Sequence, residues 1–287
     1  MTVVLFCGGL GMRMRELSRK LPKPMVRIGE EPILCHLMRY YAHYGHRDFV
    51  LCLGYLGEAI TEYFLQLADG GAVETLSDGA LRVQTAEDST RARWTVTLLP
   101  TGHDVVVGDR LRLARRHVRG EIFLANYTDG LSDLHLPTFL TRFAASGALA
   151  GLISVRPSSS MHIVTLGKDG FLSEVRPAAK SEIRVNGGFF AFRREIFDRL
   201  LPGEDLLDGL FPRLGQMHEI VGYAHDGFWG CMDTAKDWHE LETIDAGGEA
   251  PWKVWARRDP ASGRGAPAPH PVDEAARRPL GIQDEVG

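Results

Sequence analysis

The chain lacks an excess of charge of either sign, paired cysteines and long hydrophobic runs. Of its 287 residues, 33 are Lys or Arg and 37 are Asp or Glu, so the formal net charge is −4. Without a basic excess to neutralise phosphates, the composition argues against a general nucleic-acid binder. A hydrophobic fraction of 44% and a charged fraction of 24% are ordinary for a globular protein.

The four cysteines form no recognisable metal or disulfide pattern. There is no C-x-x-C pair and no Cys/His cluster at the spacing of zinc ligands. The opening apolar run is too short for a signal peptide, and no segment reaches the ~20 apolar residues that span a bilayer. We therefore expect a protein of the reducing cytoplasm with no membrane partner.

The first half of the chain alternates between strand and helix patterns. Residues 3–7 form a continuous apolar run that ends in glycines, which is typical of a strand buried on both faces. Apolar spacing predicts a helix over 32–44, a strand over 48–53 and a helix over 58–67. The first strand, helix and strand make a βαβ unit, so the first strand is expected to be parallel and central.

The second half predicts shorter elements and a change of character near its end. Strands are expected over 94–99, 122–125, 149–155, 162–166 and 187–192, and a short helix over 194–201. We predict an α/β fold with a mainly parallel central sheet, flanking helices and a small antiparallel addition, in one domain over 1–256. Proline, glycine, alanine and arginine dominate residues 257–287, which predicts a disordered or loosely packed tail.

The strongest local signal is a glycine-rich loop, G-G-L-G-M-R, directly after the first predicted strand. Gly8, Gly9 and Gly11 let backbone N–H groups approach an anion closely, and the cations Arg13 and Lys23 lie nearby in the sequence. The loop is not a Walker A motif, because no G-K-[ST] ends it, and the third glycine of G-x-G-x-x-G is missing. It indicates a triphosphate cradle; a tight turn with solvated basic residues is the competing interpretation.

Two aspartates far apart in the sequence are candidates for a metal site. Asp129, in T-D-G, follows an apolar strand, and open parallel sheets bind ligands beyond the carboxyl ends of their strands. Asp233 lies in G-F-W-G-C-M-D-T, among large apolar residues. Taken singly, Asp129 can be a turn residue and Asp233 a helix N-cap. Together they would supply the oxygen ligands that Mg²⁺ prefers.

These motifs, with N-G-G-F-F and M-D-T, resemble the sugar-1-phosphate nucleotidyltransferases, and W-T-V-T-L-L-P-T-G and A-P-W-K-V-W are most similar to the glucose-1-phosphate cytidylyltransferases. The resemblance covers residues 1–256. It implies a Rossmann-like, glycosyltransferase-A-like fold and Mg²⁺-dependent transfer of a nucleotidyl group from a nucleoside triphosphate to a sugar 1-phosphate. CTP and glucose 1-phosphate are the first expectations. Family members are commonly oligomeric, so a homo-oligomer is expected by analogy.

The resemblance also implies roles for individual residues, carried over position by position. Catalytic roles fall on Arg13, Lys23, Asp129 and Asp233, of which the two aspartates would bind magnesium. Nucleotide contacts fall on Gly8, Gly9, Gly11, Arg13, Thr101 and Arg110. Contacts with the sugar phosphate fall on Arg176, Asn186, Gly187 and His162.

Three segments depart from the family's pattern. V-R-P at 175–177 stands in place of E-K-P, S-M-H at 160–162 in place of R-F-G, and T-D-G in place of G-D-G. A site built to hydrogen-bond sugar hydroxyls discriminates strongly when one partner is lost. One alternative is therefore an enzyme that uses another nucleotide or an unusual sugar or cyclitol phosphate. The other is a catalytically silent homologue that binds nucleotide sugar.

Overall fold

The first apolar run of the chain forms the centre of a large sheet. In a computed structural model that describes residues 1–8, 21–87, 93–157 and 162–256, β1 (Thr2–Cys7) lies between β4 (Asp48–Leu53) and β8 (Ile122–Tyr127) and is parallel to both. All six residues of β1 are buried. The prediction of a central parallel first strand is confirmed.

Nine strands form the main sheet within the described ranges. The remaining strands are β2 (Arg27–Ile28), β3 (Glu31–Pro32), β5 (Ala68–Thr75), β6 (Leu81–Thr85), β7 (Thr95–Pro100), β9 (Gly130–Ser132), β10 (Ala150–Val155), β11 (His162–Leu166), β12 (Leu172–Pro177), β13 (Val185–Arg193), β14 (Ile220–His225) and β15 (Trp229–Cys231). The sheet order is β14-β10-β13-β8-β1-β4-β7-β6-β5, and β2-β3, β9-β15 and β11-β12 are separate two-stranded sheets.

Helices pack on both faces of the sheet. They are α1 (Ile33–His43), α2 (Gly57–Gln66), α3 (Val107–Ala114), α4 (Leu136–Ser146), α5 (Phe211–Gln216) and α6 (Ala235–Ala246), with 3₁₀ turns at Lys23–Met25, Ala178–Lys180 and Arg194–Asp198 and a π turn at Leu206–Leu210. Because successive strand residues point to opposite faces, Val3 and Leu5 join the core beneath α1, whereas Val4 and Phe6 join the core beneath α3.

The sheet is more mixed than the sequence suggested. The α/β prediction is confirmed, but β13 runs antiparallel between β8 and β10, in the body of the sheet. Residues 68–93, which the sequence left open, contain β5 and β6, antiparallel strands at the opposite edge from β14. The helix predicted over 194–201 is a shorter 3₁₀ turn, Arg194–Asp198.

Residues Met1–Trp255 form one compact unit. Within the described ranges, none of the helices combines the length and apolarity needed to cross a membrane. The predicted tail over 257–287 lies outside the described residues, and so do Gly9, Gly11 and Arg13.

Candidate active site

Several of the predicted site residues meet at one edge of the sheet. Strands β1, β4, β7 and β8 run parallel, so their carboxyl ends lie at the same edge. Gly8 follows β1, Thr101 follows β7, and Asp129 follows β8 by two residues. This is the edge at which open α/β sheets bind their ligands.

Lys23 connects the two predicted metal aspartates. Its Nζ lies 2.7 Å from Oδ2 of Asp129 and 2.7 Å from Oδ1 of Asp233. The lysine side chain is only 13% exposed, against 27% for Asp129 and 46% for Asp233. Three residues identified from separate motifs thus form one charged cluster.

A small antiparallel sheet places the two aspartates side by side. Cys231, the last residue of β15, pairs with Gly130, the first of β9. One residue beyond this pair, the N–H of Met232 donates to the backbone carbonyl of Asp129 at 2.8 Å. Asp129 and Asp233 therefore leave the same end of the two-stranded sheet, although more than one hundred residues separate them.

The start of α6 holds the backbone of Asp233. The N-cap of this helix is Thr234, with Asp237 completing a capping box. Oδ2 of Asp237 accepts hydrogen bonds from the backbone N–H groups of Asp233 at 3.0 Å and Thr234 at 2.7 Å. The alternative interpretation of the sequence, in which Asp233 is the N-cap of this helix, is wrong, because the N-cap is Thr234.

The surroundings of Lys23 favour its charged form. Burial acts to lower the pKa of Lys23, but the charge of Asp129 and hydrogen bonds to both carboxylates outweigh it, so the pKa lies above its usual value. The thiol of Cys231 lies close by: one ligand atom from each of Asp129, Cys231 and Asp233 falls within 4.8 Å of the others. Burial, followed by nearby negative charge, raises the pKa of that thiol far above its usual range.

This donor set fits a hard divalent cation. Two carboxylates converge on one point, where the Lys23 ammonium already acts as a stand-in cation. A protonated thiol is a poor ligand for Mg²⁺, which takes oxygen donors. Asp129 and Asp233 are thus the residues that would hold a metal, and their role as its ligands stays a prediction.

Arg110, on α3, forms a second cluster at the same edge, and it is almost completely buried, at 3% exposure. Its Nε donates to the carbonyl of Val105 at 3.0 Å, and Nη1 donates to Oγ1 of Thr101 at 2.5 Å and to the carbonyl of Leu53 at 3.3 Å. Nη2 donates to the carbonyls of Gly8 at 3.4 Å and His103 at 2.9 Å. All five N–H groups of this guanidinium therefore bind the protein itself.

Two glycines make room for this arginine. A Cβ atom on Gly8 would collide with the guanidinium, and one on Gly54 would come within 2.8 Å of Nη1. Gly8 is therefore required by packing against Arg110, in addition to its expected place in the phosphate loop. Direct nucleotide contact by Thr101 and Arg110 stays a prediction.

Residues from both clusters line one cleft. A cavity of about 390 Å³ is bordered by Gly8, Lys23, Arg110 and Asp129, and its volume falls in the range of small-molecule sites. The same cleft includes residues that the sequence analysis did not identify: His103, Tyr127 and Asp205.

Comparison with known proteins identifies the family. The nucleotidyl transferase family matches residues 2–118. A probable glucose-1-phosphate cytidylyltransferase of Bacillus subtilis is 34% identical over 257 residues, which cover 89% of this chain and all of that protein. A glucose-1-phosphate cytidylyltransferase of Salmonella typhimurium is 33% identical over 259 residues, with the same coverage. The chain is a sugar-1-phosphate nucleotidyltransferase.

Solved structures agree on the fold. A putative glucose-1-phosphate thymidylyltransferase from Bacillus anthracis superposes with a TM-score of 0.59 at 13% identity, covering 85% of this chain and 95% of that one. HddC from Yersinia pseudotuberculosis, complexed with GMP-PN, superposes with a TM-score of 0.59 at 16% identity, covering 85% and 99%. At such identities the likeness concerns the fold alone.

The nucleotidyltransferase's N-G-G segment lies beside β15. The Trp229 indole Nε1 donates to the carbonyl of Gly187 at 2.8 Å, and Oδ1 of Asn186 accepts from the N–H of Gly188 at 3.0 Å. Gly188 has φ +77°, where a side chain would be strained and would press on the ring of Tyr127. The segment thus adjoins the strand that leads to Asp233.

Arg176 and His162 lie on a different part of the nucleotidyltransferase, the β11-β12 hairpin. His162 is exposed, and Nη1 of Arg176 lies 3.5 Å from Oε1 of Glu174. In the described part of the chain, neither residue lines the cleft that contains Lys23 and Asp129. Their contact with a sugar phosphate stays a prediction.

Cys231 was not among the predicted site residues, although the sequence contained a signal for it. In an extended chain, residues two apart share a face, so Cys231 is a neighbour of Asp233 in the C-M-D-T segment. Asp237 also had a signal, because Thr followed three residues later by an acidic residue is a capping-box pattern. No sequence pattern pointed to Asp205 or His103.

Proposed function

We propose that this nucleotidyltransferase transfers a cytidylyl group from CTP to glucose 1-phosphate, releasing pyrophosphate and forming CDP-glucose. The choice of substrates is supported by two relatives that carry that name and match 89% of the chain at 33–34% identity. The cluster of Lys23 with Asp129 and Asp233, at the carboxyl edge of the parallel strands, is the observation that carries the chemistry.

In the proposed reaction, a phosphate oxygen of glucose 1-phosphate attacks the α-phosphorus of CTP. A new P–O bond forms, the bond between the α-phosphorus and its bridging oxygen breaks, and the electron pair leaves with pyrophosphate. The nucleophile is already ionised, so no general base is needed. Rate enhancement then comes from positioning and from neutralising charge.

The proposed site residues divide these tasks. Lys23 offsets charge at the α-phosphorus, and Arg13, which lies outside the described residues, is proposed to hold the leaving pyrophosphate. Asp129 and Asp233 would hold a divalent cation, which would supply further charge neutralisation. Arg110 and Thr101 hold the ends of β1, β4 and β7 in place around the nucleotide.

The test is pyrophosphate release with Mg²⁺ and glucose 1-phosphate, with CTP, UTP, dTTP, ATP and GTP in separate assays. We expect turnover selective for CTP. Asp129→Asn serves as the blank. Asp198→Asn is the matched control, since Asp198 is an exposed carboxylate that pairs with Arg115 on the surface and should keep full activity.

The results separate the remaining candidates. Turnover with another nucleotide would overturn the choice of CTP. No turnover with any nucleotide, although CTP raises the melting temperature, would favour either a different acceptor or the silent homologue. A panel of other sugar and cyclitol phosphates then decides between those two.

A different acceptor is the second candidate, and one observation favours it. Arg176 presents a forked guanidinium where the family has a lysine, and the two side chains do not hold phosphate in the same geometry. Its Nε is buried and has no hydrogen-bond acceptor among the described residues. This donor would suit a phosphate oxygen or hydroxyl placed differently from those of glucose 1-phosphate.

A further inference from the structure

We propose that Lys23 occupies the position of the divalent cation in the nucleotide-free protein, so that the metal enters only together with the nucleoside triphosphate. This inference rests on the proposed function of Asp129 and Asp233 as the metal ligands. It adds a second task to Lys23: before it acts on phosphate, its ammonium offsets part of the charge of the two carboxylates and keeps free metal ions from binding them.

The geometry of the cluster supports the exclusion of a free metal ion from the two aspartates. One ammonium nitrogen makes two contacts of 2.7 Å, one to each aspartate. A cation bound between the same two oxygens would have to take the place of this nitrogen. Lys23 and a metal ion therefore compete for the same two carboxylate oxygens.

The backbone of Lys23 is held in place while its ammonium competes with metal ions for the aspartate oxygens. It begins a 3₁₀ turn in which the N–H of Met25 donates to the carbonyl of Pro22 at 2.8 Å and the N–H of Val26 to that of Lys23 at 3.1 Å. The neighbouring Pro24 and Met25 are buried. Since the turn is held by packing, the ammonium stays within reach of the aspartates at a high effective concentration.

The formal charges of the cluster explain why a triphosphate would free the aspartates from Lys23. The formal charges of Lys23, Asp129 and Asp233 sum to −1. A divalent cation added to all three would bring the sum to +1 in a half-buried site. The phosphates of a nucleotide in the same cleft provide new acceptors for Lys23, which lines that cleft with Gly8 and Arg110. The lysine can then turn to phosphate while the aspartates accept the metal.

The test is the binding of Mn²⁺ to the full-length protein without nucleotide, measured by calorimetry and by the electron paramagnetic resonance of free Mn²⁺. Lys23→Met keeps the length of the side chain and removes its charge. We expect it to bind Mn²⁺ about tenfold more tightly than the unchanged protein, if Lys23 occupies the carboxylates in about nine molecules of ten.

Two controls localise the effect. Lys253→Met removes another partly buried lysine that pairs with a carboxylate, that of Asp245, and should leave Mn²⁺ binding unchanged. The double variant Lys23→Met with Asp129→Asn should lose the affinity that Lys23→Met gained. The melting temperature of each variant shows that it folds, and Mn²⁺ should raise that of Lys23→Met more than that of the unchanged protein.

Two results would overturn the inference while leaving the proposed metal site intact. The first is that the Lys23→Met variant folds but binds Mn²⁺ no more tightly than the unchanged protein. The second is that the unchanged protein already binds Mn²⁺ tightly, through Asp129, in the absence of nucleotide.

A different result would remove the metal site itself. If Asp129→Asn and Asp233→Asn leave Mn²⁺ binding in the presence of CTP unaltered, the aspartates are not its ligands, and the inference fails with them. The choice of nucleotide would still be decided independently, by the release of pyrophosphate.

Discussion

Lys23 and Arg110 are both nearly buried cations at the carboxyl edge of the same sheet, yet they are built into the protein in opposite ways. Lys23 contacts two charged carboxylates that can exchange it for another cation. Arg110 contacts four backbone carbonyls and one hydroxyl, and these use all of its donors. One cation is exchangeable and the other is structural.

The contrast shows how one edge of a sheet can hold a rigid cation and an exchangeable one side by side. Buried polar groups that are fully hydrogen-bonded rigidify their surroundings, and Arg110 fastens the segments after β1, β4 and β7 to one another. An ion pair with carboxylates can be exchanged when a more highly charged ligand arrives. Four substitutions test this contrast, in order of decreasing expected effect.

The largest effect is expected for Asp129→Asn. Losing one charge from the Lys23 cluster should lower kcat about a thousandfold, because charge neutralisation at the reacting centre is worth several kcal/mol. Pyrophosphate release checks the activity and thermal melting checks the fold. A variant that stays nearly as active in saturating Mg²⁺ would remove Asp129 from the metal site.

The next effect should come from Arg110→Lys. A lysine has three donors in place of five and no planar fork, so buried carbonyls lose their partners and the free energy of unfolding should fall by about 2–4 kcal/mol. Arg112→Lys is the control on the same helix, because Arg112 is exposed and its side chain forms a surface ion pair with Asp109. Denaturant unfolding measures both variants.

The same variant tests the role that the resemblance implies for Arg110. If stability is unchanged and only the KM for the nucleotide rises, then Arg110 contacts the nucleotide directly. In that case the contrast between the two cations disappears, since both would be ligand-binding groups.

Arg176→Ala extends the comparison to a third cation. The Nε of Arg176 has no hydrogen-bond acceptor among the described residues. We expect the KM for the sugar phosphate to rise about tenfold, which corresponds to about 1.4 kcal/mol, with little change for the nucleotide. Lys168→Ala, in the turn of the same hairpin, should alter neither constant. An unchanged KM for the acceptor would show that residues 175–177 do not bind it.

The smallest effect is expected for Asp237→Ala, which removes the support of Asp233 but no member of the cluster. Loss of the capping box should cost about 1 kcal/mol of stability. Glu240→Ala, farther along α6, is the control and should stay within about 0.5 kcal/mol. If Asp237→Ala instead abolishes turnover with stability unchanged, Asp237 acts on the ligands and not on the backbone of Asp233.

Sequence patterns predicted those parts of the fold in which local chemistry and packing agree. The apolar run of β1 predicted a buried parallel strand, and the motifs around Lys23, Asp129 and Asp233 predicted three members of one site. The helix α3 was missed because its buried face includes Arg110, a residue type that hydrophobic periodicity counts as exposed. The antiparallel addition was predicted, but not that β13 lies between β8 and β10 in the body of the sheet, since alternation and apolarity do not specify which strands pair.

The sequence alone specified the types of residue that the site uses. These are two aspartates with oxygen ligands, two cations near a glycine-rich loop, and the apolar strands that these residues follow. Only the tertiary structure decided which charges meet, because Lys23 finds its partners 106 and 210 residues away. It also decided which cation is exchangeable, since this depends on whether the acceptors are carboxylates or backbone carbonyls. Those acceptors come from strand ends that only the folded sheet brings together.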